Sequence, residues 1–137
     1  WSSDVCSSDL GYRAVGLDKH AEAGLPVDAA PSADVRIVRA DLERPPLAAD
    51  SCDCIVCECV LSLLHNPLAA LRAACRALRP GGVLSAILYS GRVIGSDEKR
   101  HILQWARALP LTKCTVLVCD FANWADTAPL PCLVLKK

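Results

Sequence analysis

Between residues 52 and 89 the chain spells out a strand, a helix and a second strand, and this unit constrains the fold more than any other feature. CIVCECV (residues 54–60) is β-branched and cysteine-rich, the composition of a buried strand. Asn66 stands immediately before Pro67, the preferred pair for a helix N-cap and first turn. Leu68, Leu71, Cys75 and Leu78 then recur at helical spacing as one apolar stripe. Arg79-Pro80-Gly81-Gly82 is expected to stop the helix, with glycine supplying a left-handed cap. VLSAILY (83–89) follows as a second apolar strand. Two strands joined through a helix run parallel, and the crossover between them is right-handed.

The flanking segments extend this pattern. RAVGL (13–17) reads as a strand ending at Asp18, and VRIVRA (35–40) alternates as a strand does before Asp41. Between them, residues 20–30 are broken by Gly24 and Pro26 and can form only a short helix. Pro45-Pro46 ends the second strand, and residues 48–51 form a polar turn. Ser96 can cap a helix over 97–108, with Ile102, Leu103, Trp105, Ala106 and Leu109 inward, His101 outward and Pro110 closing it. CTVLVCDF (114–121) and CLVL (132–135) are too close for a helical crossover and must pair antiparallel. Trp124 and Asn123 fall in the loop between them, where they could cover a substrate. The fold class is therefore α/β: a mostly parallel sheet with helices on both faces and a C-terminal antiparallel hairpin. With 137 residues there is room for one domain; 53% hydrophobic but only 4% aromatic residues suit helices packed on a sheet.

Formal net charge is zero, so no basic surface recruits nucleic acid by charge, and nucleic-acid binding is disfavoured as a primary role. No apolar run approaches the roughly 20 residues that span a bilayer, and the start lacks a secretory signal; a cytoplasmic location is expected. Nine cysteines would suggest a disulfide framework in a small secreted protein. Here Cys54, Cys57, Cys59, Cys75, Cys119 and Cys132 lie within apolar runs or helical faces, where a reduced thiol acts as a small hydrophobe.

Ligands of open α/β sheets bind outside the carboxyl ends of the strands. Asp18 follows the first strand, Asp41-Leu42 the second and Cys57-Glu58-Cys59 the third. A carboxylate after the first strand can accept hydrogen bonds from two ribose hydroxyls. One after the second can accept from an exocyclic amine, with Leu42 offering an apolar surface to an adenine face. Each such acid alone is as readily a helix cap or a solvated turn residue; the three in this order point to a nucleotide-like ligand.

The stretch DCIVCECVLSLLHNPLAALRAACRALRPGGVLSAILYS resembles the central part of class I S-adenosylmethionine-dependent methyltransferases, which share a Rossmann-like sheet. The resemblance is carried by Asp53, Val56, Val60, Leu61, Arg76, Leu78, Arg79, Pro80, Gly81, Gly82 and Leu84. AVGLDKH and RADLERPPL are similar to the family's strands that bear the ribose-binding and adenine-contacting acids, and CTVLVCDF with CLVLKK to its terminal hairpin. By this resemblance S-adenosylmethionine is the cofactor, Asp18 binds its ribose, and Asp41 and Leu42 its adenine. Lys19 and His20 flank the adenine pocket, Cys57, Glu58 and Cys59 line the methyl-transfer edge, and Glu58 is the candidate general base. A small-molecule acceptor is expected. Cys52 stands where the family often has an aromatic residue, and Leu63 where histidine is common, with His65 two positions on.

The family's first strand and its Asp-x-Gly-x-Gly-x-Gly loop are missing from the sequence. In their place stands WSSDVCSSDL, which one choice of codons turns into a string resembling a sequencing-library adapter read in frame. Residues 1–10 are accordingly expected to be a foreign scar and residues 11–137 a partial methyltransferase domain. Cofactor binding is then expected to be weak until an upstream glycine-rich segment is restored.

Two other readings stay open on the residues alone. A nicotinamide-dependent oxidoreductase would also place an acid after a strand, but no Tyr-x-x-x-Lys set accompanies it. A cysteine-rich metal or redox module is suggested by Cys52, Cys54, Cys57 and Cys59. On a regular strand Cys52 and Cys54 face one side and Cys57 and Cys59 the other, so no tetrahedral metal set is expected.

Overall fold

A computed structural model describes residues 13–19, 34–89, 95–125 and 127–137. The chain divides into two compact units, Trp1–Pro46 and Leu47–Lys137. The scar expected over residues 1–10, the broken helix over 20–30 and His20 all lie outside the described residues.

In the first unit β1 (Arg13–Asp18) pairs parallel with β2 (Asp34–Arg39), in unbroken register from Arg13 opposite Asp34 to Asp18 opposite Arg39. The Ala40 N–H donates to the Asp18 carbonyl at 3.0 Å, carrying the ladder one residue past β2.

The second unit is a four-stranded sheet in the order β3-β4-β6-β5, made of β3 (Cys52–Cys57), β4 (Leu78–Leu88), β5 (Cys114–Val118) and β6 (Leu130–Lys136). β3 and β4 are parallel, while β6 runs antiparallel to both β4 and β5. The expected terminal hairpin is present, and its second strand lies between the first and the parallel pair.

The core occupies the face covered by α1 (Pro67–Ala77) and α2 (Gly95–Arg107). Leu71 and Ala74 of α1 and Ile102 of α2 join one buried cluster with Leu84, Ala86 and Leu88 of β4 and Leu130, Cys132 and Val134 of β6. Six of its side chains (Leu71, Leu78, Leu84, Leu88, Ile102 and Val134) are almost wholly removed from water. At about 1.5–3 kcal/mol each, these set the unit's main driving force. The opposite face alternates with them and carries Val83, Ser85 and Ile87 half-buried and Val56, Leu117 and Leu135 exposed.

Helix α1 starts as expected, with Asn66 Oδ1 accepting the Ala69 N–H at 3.1 Å and Pro67 in the first turn. Its C-terminus departs from the expectation. The helix ends at Ala77 and β4 begins at Leu78, so Arg79-Pro80-Gly81-Gly82 lies inside the strand and is not a helix cap. All four terminal carbonyls find donors, three of them outside the helix. Ala74 accepts from the Leu78 N–H, Arg76 from the Asp50 N–H at 3.1 Å, Ala77 from the Ser51 N–H at 2.7 Å, and Cys75 from Lys136 Nζ at 3.2 Å. With these bonds made, a left-handed cap is redundant.

The glycines serve the strand instead. Cys52 pairs with Leu78 but Cys54 with Val83, so residues 79–82 bulge against Asp53 alone. Gly81 takes φ +82 in this bulge, and a Cβ on Gly82 would lie 2.9 Å from the Arg79 carbonyl oxygen and 3.0 Å from that of Asp53. Arg79 Nε also meets Asp53 Oδ1 at 3.0 Å, both side chains largely in water.

Strand β3 is likewise not the buried strand expected. It is an edge of its sheet: Val56 is 60% exposed and Cys54 is exposed, while Cys52, Ile55 and Cys57 pack on the core. The irregularity beside Asp53 reverses Cys52, which shares the core side with Cys57 and not that of Cys54.

Candidate functional site

In the first unit the acids sit side by side. Asp18 ends β1, and Asp41 follows directly on Ala40, whose N–H is bonded to the Asp18 carbonyl. Both carboxylates therefore leave the same end of adjacent parallel strands, and both side chains are exposed, as is Lys19. Asp41 opens a turn: its Oδ1 accepts the Glu43 N–H at 2.9 Å and its carbonyl the Arg44 N–H at 3.0 Å. The turn fixes the carboxylate and holds Leu42 half-buried beside it. This donor set fits an adenosine group. Two acceptor side chains suit ribose hydroxyls and an exocyclic amine, which are neutral donors, and Leu42 suits an apolar ring face.

In the second unit, Cys57, Ala86, Cys132 and Val118 pair successively and form one row across β3, β4, β6 and β5. β3, β4 and β5 all run the same way through this row, so the segments after them open at one edge. Glu58 and Cys59 follow β3, both exposed, and Tyr89 follows β4, half-buried. Cys59 adopts φ +52, the left-handed region that costs an L-residue of this kind about 1 kcal/mol or more. From that position its Sγ lies 3.1 Å from Tyr89 Oη. The Tyr89 hydroxyl is held above its ordinary pKa, first by the hydrogen bond to Cys59, then by burial and by the negative charge Cys59 and Glu58 can carry. It remains a phenol, able to donate, throughout the neutral range. Burial also pushes the Cys57 thiol up, which keeps it an uncharged wall residue.

Asp18, Lys19, Asp41 and Leu42 thus belong to the first unit and Cys57, Glu58 and Cys59 to the second. Sequence reasoning missed Tyr89. The signal was available, because the residue after each parallel strand is a candidate and Tyr89 follows VLSAIL. The eight described cysteines are all free, and among the described residues no three His, Cys, Asp or Glu side chains could together hold a metal ion.

Residues 3–86 match the family model of the methyltransferase domain, and residues 59–135 match that of the putative rRNA methylases. No curated protein matches the chain. Among solved structures, a putative rRNA methylase from Clostridium thermocellum superposes with TM-score 0.69 at 18% identity, over 91% of this chain and 75% of its own. A putative methyltransferase from Streptococcus mutans in complex with SAH gives 0.62 at 18% identity, over 77% of this chain and 63% of its own. An rRNA methylase from Streptococcus thermophilus gives 0.59 at 16%, over 77% of this chain and 59% of its own. Each family match covers more than half of the sequence, so the chain belongs to the methyltransferase domain family and, from Cys59 onward, to the putative rRNA methylase family. Its class of enzyme is methyltransferase and not the nicotinamide-dependent alternative.

Proposed function

We propose that the chain serves S-adenosylmethionine-dependent methyl transfer to an RNA nucleotide, in place of the small-molecule acceptor its sequence first suggests. The match of residues 59–135 to the putative rRNA methylases supports the acceptor class. The observation that carries the cofactor reading is the juxtaposition of Asp18 and Asp41 at the ends of adjacent parallel strands.

In this reading Asp18 accepts hydrogen bonds from the ribose hydroxyls, with Lys19 and His20 flanking the adenosine. Asp41, braced by its turn, accepts from the adenine amine, and Leu42 packs on the ring. The cofactor, when bound, supplies a methyl already activated on a sulfonium. The protein has only to hold a nucleophile in line and exclude water. Cys57 and Cys59 stand at the strand-end edge of the second unit. In this reading Glu58 takes the acceptor's proton, and Tyr89, held by its hydrogen bond to Cys59, walls the same edge.

The test is titration calorimetry with S-adenosylhomocysteine, on this chain and on one extended upstream by an Asp-x-Gly-x-Gly segment. Asp18→Asn should weaken binding by roughly tenfold or more, the equivalent of about 1.4 kcal/mol for a lost charged hydrogen bond. Binding by neither chain, or full affinity in Asp18→Asn, refutes the cofactor reading. Methylation of a small amine but never of RNA refutes the acceptor reading alone.

A further inference from the structure

The loop after β5 presents two aromatic rings to solvent. Phe121 and Trp124 stack with centroids 4.5 Å apart and planes 26° from parallel, yet remain 39% and 57% exposed. A contact made only for stability would be turned toward the core, which lies beneath α1 and α2. Here the pair is held outward by its own backbone. The Trp124 N–H donates to the Phe121 carbonyl at 3.0 Å, closing a turn. Both ends of the loop are tied down, by the Cys119 N–H to the Pro131 carbonyl at 2.9 Å and by Lys99 Nζ to the Ala128 carbonyl at 3.2 Å.

Its place in the sheet gives the pair a use. Val118 stands in the same row as Cys57 and Ala86, and β5 runs parallel to β3 and β4. The loop therefore opens at the same edge as Glu58, Cys59 and Tyr89. It starts two strand spacings, about 10 Å, from the row position on β4, and three spacings, about 14 Å, from that on β3. That span is of the order of the distance to a nucleotide neighbouring one held at the ends of β3 and β4. Asp120 and Asn123, both exposed in the same loop, are side chains that pair with cytosine and adenine edges.

We infer that Phe121 and Trp124 form a stacking platform for an unpaired nucleobase flanking the acceptor nucleotide, an assignment that rests on the RNA-acceptor reading above. Single-stranded bases are held by aromatic faces in this way, and such binding tolerates any base because every base has a π-face.

End-labelled single-stranded RNA hexamers of uridine and of adenosine, titrated with the full chain and followed by fluorescence anisotropy, test it. Trp124→Ala should weaken both hexamers by roughly 5- to 100-fold, the loss of one base stack. Trp124→Phe, which keeps a ring, should restore most of the affinity, and S-adenosylhomocysteine binding should be the same in all three proteins. Equal hexamer affinity for wild type and Trp124→Ala, with both folded by circular dichroism, overturns the platform and leaves the RNA acceptor standing. A wild-type chain that binds no hexamer while it methylates a small amine overturns both.

Discussion

Replacing Lys136 by methionine should be among the more damaging single changes to the second unit, although its charge lies at the surface end of β6. Its Nζ lies 3.2 Å from the Cys75 carbonyl, 2.5 Å from that of Leu78 and 3.4 Å from that of Arg76, and pairs with Asp50 Oδ1 at 2.8 Å. Arg76 keeps the Asp50 N–H if the ammonium is lost, so two carbonyls, Cys75 and Leu78, lose this charged donor. Hydrogen bonds to a charged group contribute about 1.5–3 kcal/mol each, and a favourable charge at a helix C-terminus is already included in that figure. The Asp50 pair adds at most about 1 kcal/mol, since the Asp50 side chain is 57% exposed. Methionine preserves the apolar stem, and water can reach the 24% of Lys136 that is open, so about 2–3 kcal/mol should be lost. In urea, with a slope of about 1–1.5 kcal/mol/M for a unit of this size, the midpoint should fall by about 2 M. Asp50→Asn should move it by less than about 1 M. Equal shifts for the two variants, or a shift below about 0.5 M for Lys136→Met, would show that the carbonyls do not depend on the ammonium.

The two glycines of the bulge should separate by mechanism. Gly82→Ala forces a Cβ against three backbone carbonyls at 2.9–3.2 Å and should cost about 1–3 kcal/mol, whereas Gly81→Ala meets open space and loses only about 1–2 kcal/mol through its φ of +82. Asparagine, which tolerates left-handed backbone, should rescue position 81 but not 82; rescue at both in thermal melts would refute the steric account. The thiols predict an alkaline limit. Cys75 is pushed up to about 11, first by burial and next by Cys114, and burial also raises Cys57 and Cys132. Unfolded thiols ionise from about 9, so the folded state binds more protons between the two values. Stability should be full below pH 9 and fall as pH rises toward 11. A flat urea midpoint across that window would contradict the burial, as would alkylation of native Cys75 at pH 8 as fast as exposed Cys54.

What could be read from the residues was local or depended on loop length. Asn66-Pro67 opens a helix because both residues act on the backbone beside them. The last two strands had to pair antiparallel because too few residues join them for a crossover. The failures share a cause, the pairing of distant segments. Arg79-Pro80-Gly81-Gly82 has the chemistry of a helix stop, but donors from Asp50, Ser51 and Lys136 had already ended the helix. CIVCECV has the composition of a buried strand, and only the order of the sheet makes it an edge. The side on which Cys52 falls was lost through a bulge whose extra residues belong to another strand. The positions of Asp18 and Asp41 at strand ends were legible because each follows its own strand, while the contact of Tyr89 is with a thiol 30 residues away.

The level row through Cys57, Ala86, Cys132 and Val118 has a consequence for how such a protein can change over generations. Three connections begin from one line at the strand ends, so the exposed residues just beyond it can vary while the register beneath them stays as it is. Inheritance of the frame and invention of new acceptors then fall on different residues. A lineage can trial the second at little risk to the first.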